Sequence, residues 1–200
     1  MTLAAAPPTP KDQPHLFTGL TWREFKAAEQ LLSQPGYRLS FLDGTLEIRK
    51  MPGEEPHETT KKRIAALLEL FLLMAGFDFK PTGSMTLENE SRLVKREADE
   101  SYKLTPTSPR PDLAIEVVFS SGGIEKLEAY KRLRIAEVWF WEDGLLYMYH
   151  LRGSGDGAYY EKIEVSEAVP GLDVALLKRC ILMANHVEAL RTFQARLASS

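Results

Sequence analysis

The sequence predicts an α/β fold, a mixed central sheet flanked by helices, with an N-terminal helix and hairpin ahead of it. Three observations predict it. Leu113, Ala114, Ile115, Val117 and Val118 run together with no polar break except Glu116, the pattern of a strand covered on both faces. Ile64, Leu67, Leu68, Phe71, Leu72 and Ala75 recur at helical spacing. Alternating runs on either side of Asp43-Gly44 and of Glu142-Asp143-Gly144 carry the chemistry of tight hairpin turns.

Residues 1–15, rich in alanine and proline, are expected to form a disordered arm, and residues 16–200 a single domain. Thr21 followed by Glu24 spells a capping box, opening a helix that ends near Pro35-Gly36. Tyr37 to Leu42 and Thr45 to Arg49 form the first hairpin. After a turn at residues 52–56, a long and mostly buried helix starts at His57 and is stopped by Gly76. Strand-like pieces follow around Phe77 to Pro81 and Met85 to Leu87. A polar stretch then leads to the extended segment Glu97 to Tyr102, and a proline-bearing loop to the central strand, Asp112 to Phe119. Gly122-Gly123 opens a helix carrying Leu127, Tyr130 and Leu133. Ala136 to Trp141 and Leu145 to His150 make the second hairpin, Tyr159 to Val165 a further strand, and helices fill Val174 to Ala198. No internal repeat is present. This alternation implies a sheet with helices packed against it.

Composition narrows the function classes. A net charge of -3 argues against a generally basic coat for nucleic acid, although basic groups cluster at Lys61-Lys62-Arg63 and at Lys131, Arg132 and Arg134. Solvated helix faces explain such clusters unless they flank one cleft. The single cysteine, Cys180, excludes an internal disulfide and a thiolate zinc cluster, and packing is its expected role. The apolar run Ile64 to Ala75 is broken by Glu69 and too short to cross a bilayer, and Met1 to Pro14 lacks the order of a signal peptide. The chain is expected in the cytoplasm. Trp139 and Trp141 could serve self-association, but strand-core packing is their ordinary role, and a homodimer stays open.

Glu116 is the residue that needs a reason. An ionised side chain inside an apolar strand is costly unless it is paired or bound to a metal. Asp112 cannot share an ion with it: four residues of strand separate their α-carbons by about 13 Å, whereas Mg²⁺ holds its oxygens at about 2.1 Å. Asp112 is expected instead to anchor the start of the strand by bonding nearby backbone. Asp99 is the better partner, because its extended segment is joined to the central strand by one loop and could lie beside it; its ordinary alternative is a surface acid. Lys126, in the first turns of the next helix, could project back toward the pair, or be an exposed helix lysine. Glu58, four residues before Lys62 on one helix face, could reach a metal through water, or simply favour the helix dipole. His57 has no second histidine at ligand spacing and is not assigned to metal.

At these residues the chain resembles the Uma-type (Uma-two) family of restriction-endonuclease-like proteins in the PD-(D/E)xK nuclease superfamily. The similarity covers roughly Thr21 to Leu177. It rests on RLSFLDGTLEI, a helix beginning PHE, EADESYKL, RPDLAIEVV, SSGGIEKLEAYKRL, AEVWFWEDG and PGLD at residues 170–173. The resemblance implies a restriction-endonuclease-like core and hydrolysis of phosphodiester bonds with Mg²⁺, or Mn²⁺ in its place. Asp99 and Glu116 would bind the metal, and nucleic acid, DNA by analogy, would be the partner. It implies that Lys126 is the motif lysine relocated from strand to helix, and that Glu58 is the acid of the first core helix. The chain departs from the pattern at Val118, which stands about 6.6 Å beyond Glu116 on the same face where a lysine is usual. Ala98 replaces the proline before Asp99. With Val118 unable to act, catalysis would depend on Lys126; a nucleic-acid-binding or interaction module that keeps the fold without catalysis is the alternative.

Overall fold

The structure is a computed structural model that describes residues 14–51, 55–105, 107–118 and 125–198. The predicted arm up to residue 13, the turn at residues 52–54 and Gly122-Gly123 lie outside the described residues.

Local signals place most elements. The helix α1 (Trp22–Leu32) opens on the predicted capping box, in which Thr21 and Glu24 each satisfy the other's backbone N–H. β2 (Tyr37–Leu42) and β3 (Thr45–Lys50) meet across Asp43 and Gly44, both with positive φ, as a tight two-residue hairpin turn requires. β1 (His15–Phe17) pairs with the outer edge of β3. α2 (Glu55–Met74) turns its apolar stripe inward and stops where Gly76 takes φ +76°. β4 (Lys80–Pro81), β5 (Thr86–Asn89), β6 (Val94–Glu97), β7 (Glu100–Lys103) and β8 (Leu113–Val118) follow. Then come α3 (Lys126–Leu133), the hairpin β9 (Glu137–Glu142) and β10 (Leu145–Arg152), β11 (Tyr159–Ile163), α4 (Val174–Ile181) and α5 (His186–Leu197).

The α/β class holds, but these strands form two sheets rather than one. A central sheet runs β11-β10-β9-β8-β7-β4, and the N-terminal hairpin belongs to a second sheet, β1-β3-β2-β6-β5. In the central sheet the β8–β9 pair is parallel and the remaining pairs antiparallel. β6 is the strand that a polar reading of Lys95-Arg96-Glu97 conceals. Lys95 and Arg96 are buried, and their charges are matched by Glu29, Glu97 and Glu116 rather than by water.

β8 organises the core through its two faces. Leu113, Ile115 and Val117 pack with Ile64, Leu68 and Phe71 of α2 and with α4 and α5. Ala114 lies on the other face, with Tyr130 and Val138. Glu116 shares that second face, since side chains alternate along a strand. Asp112 anchors the strand as expected, its Oδ2 accepting the N–H groups of Leu104 at 2.8 Å and Thr105 at 3.0 Å.

Other side chains fill structural roles. Cys180, Trp139 and Trp141 are buried, so the two tryptophans pack in the core and offer no docking surface. Arg63 is not a solvated member of a basic cluster: it donates to the carbonyls of Ile181, Met183 and Ala184 and so ties α2 to the α4–α5 connection. Glu137, fully buried, accepts from Trp139, Ser166 and the N–H groups of Glu167 and Ala168, which fixes the chain before α4. Among the described residues no helix is long and apolar enough to cross a membrane.

Candidate active site

Asp99 immediately precedes β7, beside the strand that carries Glu116. β7 and β8 pair with Glu100 opposite Ile115, and the Asp99 N–H donates to the Ile115 carbonyl at 3.1 Å. The ladder ends at that pair, and Asp99 reaches past it with its side chain, Oδ2 accepting the Val117 N–H at 2.8 Å, so that Asp99 bonds the backbone on both sides of Glu116. Both acids are buried, 4% and 1% exposed, so their charges must be compensated inside the protein.

The compensation comes mostly from other elements. Glu116 Oε1 accepts from Arg96 of β6 through Nε at 3.0 Å and Nη2 at 2.9 Å, and from the Tyr130 hydroxyl of α3 at 2.5 Å. Its Oε2 accepts from Lys126 Nζ at 2.9 Å. Asp99 Oδ1 accepts from Arg38 Nη1 of β2 at 3.0 Å, and Oδ2 from the Val117 N–H at 2.8 Å. His57 Nε2, on α2, lies 3.5 Å from Asp99 Oδ2 and 3.1 Å from the Val117 carbonyl. The centre is thus clamped between the two sheets, with two carboxylates ringed by cations.

The titration behaviour follows. Burial alone would raise both acids, but at Asp99 the His57 and Arg38 charges and the Val117 N–H outweigh it and hold the carboxyl well below the usual range. At Glu116 burial and the opposing Asp99 charge are outweighed by Arg96 and Lys126, with Arg38 adding to them, and the value falls to about 2. Burial lowers His57, yet its contacts with Asp99 and Glu58 win and raise it. Tyr130 is pushed up by burial and by the neighbouring Glu116 charge, so its hydroxyl stays a donor.

Of the residues singled out from the sequence, Asp99, Glu116 and Lys126 come together. Glu58 does not join them directly: His57 stands between, with Nδ1 at 3.1 Å from Glu58 Oε1 and Nε2 toward Asp99. Glu58 is paired instead with Lys61 at 2.8 Å, and Lys62 with Glu100 at 2.8 Å, not with each other. Arg38, Arg96 and Tyr130 escape a sequence reading, and His57 enters it only to be left out of the metal site. Tyr130 alone left a signal, one helical turn after Lys126 on the same face. Arg38 and Arg96 are drawn in by tertiary pairing 61 and 20 residues away in the chain.

The donor set suits a divalent ion under one condition. Mg²⁺ is commonly held by one or two carboxylates together with water; here Lys126 occupies Glu116 Oε2, and His57 stands against Asp99 Oδ2 and the Val117 carbonyl, Oδ2 accepting the Val117 N–H as well. Lys126 and His57 must yield for an ion to enter. Among the described residues no group of three or more His, Cys, Asp or Glu is arranged to hold a metal ion, so water would complete a shell begun by the two acids and the Val117 carbonyl. Arg38 Nε and Arg96 Nη1 are buried donors without a hydrogen-bond partner among the described residues, and Arg38 Nε has only Glu97 at 3.8 Å. The site therefore keeps donor capacity beyond what its two acids absorb.

Comparison with known proteins adds a family. The family model described as "Uma2: Putative restriction endonuclease" matches residues 22–181, and the mixed α/β architecture is consistent with a restriction-endonuclease-like fold. No curated protein matches the chain.

Proposed function

The chain belongs to the family so described, and on that premise we propose that it is a divalent-metal-dependent nuclease that hydrolyses phosphodiester bonds, with DNA as substrate. The observation that carries this is Asp99 bonded to the backbone of Ile115 and Val117 on either side of Glu116, with the Lys126 ammonium 2.9 Å from Glu116. Asp99, Glu116 and the Val117 carbonyl would hold the ion. An ion there, Mg²⁺ or Mn²⁺, would supply Lewis acidity toward a phosphate and its attacking water. Arg96 and Tyr130 keep Glu116 ionised and hold its Oε1, leaving Oε2 to Lys126. Lys126, once released from Oε2, places its ammonium where charge builds on the phosphoryl oxygens, the task that Val118 cannot perform. Arg38 holds Asp99 Oδ1 and keeps its Nε as a spare buried donor.

The test is cleavage of plasmid, duplex, single-stranded DNA and RNA with Mg²⁺ or Mn²⁺ against a chelator control. Cleavage that needs the metal and is lost in Asp99→Asn and Glu116→Gln supports the proposal; no cleavage of any substrate overturns it. A nucleic-acid-binding module without catalysis is the other function that one observation favours: the carboxylate oxygens of Asp99 and Glu116 are all hydrogen-bonded within the protein already. Binding by the wild type, with no metal-dependent cleavage and no metal uptake, would select that module.

A further inference from the structure

The far end of α3 carries a second polar feature that the two acids do not explain. A cleft of about 490 Å³ is lined by Arg92, Lys131, Arg132 and Arg134, with Glu128 and Asp156 as its acids. It is positive on balance in a chain of net charge -3. Lys131 and Arg132 are already paired with Glu128, at 2.5 and 3.0 Å, and Arg132 also with Asp43 at 3.4 Å. Arg92 and Arg134 differ: among the described residues neither has a carboxylate partner.

Both are nevertheless held in place by main-chain carbonyls. Arg92 Nη1 donates to Arg132 O at 3.4 Å while Arg132 Nη1 returns a bond to Arg92 O at 3.0 Å, and Arg134 Nη2 donates to Gly155 O at 2.7 Å. Each guanidinium has five N–H donors in a planar fork, so fixing it through one carbonyl leaves donors free without losing orientation. An anion with several oxygens is what such a pair accepts, and phosphate matches the fork.

We propose that this cleft is a docking surface for the sugar–phosphate backbone of a nucleic acid, with Arg92 and Arg134 each taking a phosphate. The inference rests on the nuclease function above and names where its substrate is held. Spacing ties the two regions together: from Lys126 to Arg134 is eight residues of helix and its cap, about 12 Å at 1.5 Å per residue. That is about three to four steps along one strand of a duplex, at roughly 3.4 Å each. A strand whose scissile phosphate meets Lys126 can therefore offer a later phosphate to the cleft.

The experiment is fluorescence anisotropy of a labelled DNA duplex with the full chain in EDTA, over a salt series. The variant is Arg92→Ala with Arg134→Gly, the glycine suiting the φ of +60° at residue 134. Circular dichroism checks its fold, and the single charge reversal Arg92→Glu serves as an independent second variant. Each lost phosphate contact flattens the plot of log K against log salt by about 0.9. The double variant should therefore bind roughly tenfold more weakly at moderate salt, with a slope nearly 2 units shallower. Wild-type binding with unchanged affinity and slope in both folded variants overturns the cleft alone. A wild type that neither binds nor cleaves DNA or RNA overturns the nuclease function and the cleft together.

Discussion

Arg96 spends two of its donors on a single oxygen of Glu116, Nε at 3.0 Å and Nη2 at 2.9 Å, and both residues are nearly inaccessible to water. The buried acid that the strand pattern leaves unexplained is thereby half of an ion pair whose other half comes from the opposite sheet. An arginine in that place fixes which oxygen of Glu116 remains available, because Tyr130 also binds Oε1.

Breaking this pair from one side should be expensive. Arg96→Met leaves a buried carboxylate short of its main counter-charge, and a loss of about 3–5 kcal/mol is expected. Removing both, Arg96→Met with Glu116→Leu, should recover much of it, since an apolar replacement avoids the desolvation cost. Urea unfolding of the two variants checks this; equal losses would contradict it.

Acid should weaken the fold through these same groups. The folded value of Glu116 is about 2 and that of Asp99 is also depressed, so their contribution is fully present above the unfolded carboxylate range and drains away as the pH falls through the folded values. For Glu116 the shift from 4.5 to about 2 corresponds to about 3 kcal/mol, lost between about pH 5 and pH 2. His57 runs the other way: its raised value contributes below the ordinary histidine range and is lost as the pH rises through the folded value. His57→Gln should flatten the neutral-to-alkaline side of the stability profile and, because His57 also holds the Asp99 carboxyl down, soften the part of the acid side that Asp99 supplies while Glu116 keeps the rest.

The Tyr130 hydroxyl is separable from its ring. Tyr130→Phe keeps the packing but removes a 2.5 Å bond to an ionised acceptor, for which about 1.5–3 kcal/mol is expected. The same variant should raise the Glu116 pKa, moving the acid transition to higher pH.

Lys126 should show opposite effects on metal binding and on cleavage. Its ammonium competes with a divalent ion for Glu116 Oε2, so Lys126→Met should bind Mn²⁺ more tightly than the wild type by titration calorimetry. Cleavage should nonetheless fall by about 100-fold or more, the usual effect of removing one preorganised charge-stabilising donor. Weaker Mn²⁺ binding in Lys126→Met would show that the lysine positions Glu116 rather than blocking it.

The local elements are legible in the residues because their causes are local. Asp43-Gly44 and Asp143-Gly144 supply the positive φ that their hairpins require, Thr21 and Glu24 close a capping box, and the stripe from Ile64 to Leu72 has one way to bury itself. Asp99 and Glu116 could be matched because one loop joins β7 to β8 and their antiparallel pairing brings Asp99 alongside β8.

Tertiary structure alone decided the second sheet and the cations of the centre. β6 carries lysine, arginine and glutamate in succession, which reads as solvated chain until Arg96 is set against Glu116 and Lys95 against Glu29. The reason is physical: an apolar side chain announces its burial wherever it stands, whereas a charged one is buried only if a partner, here from another sheet or helix, arrives to neutralise it.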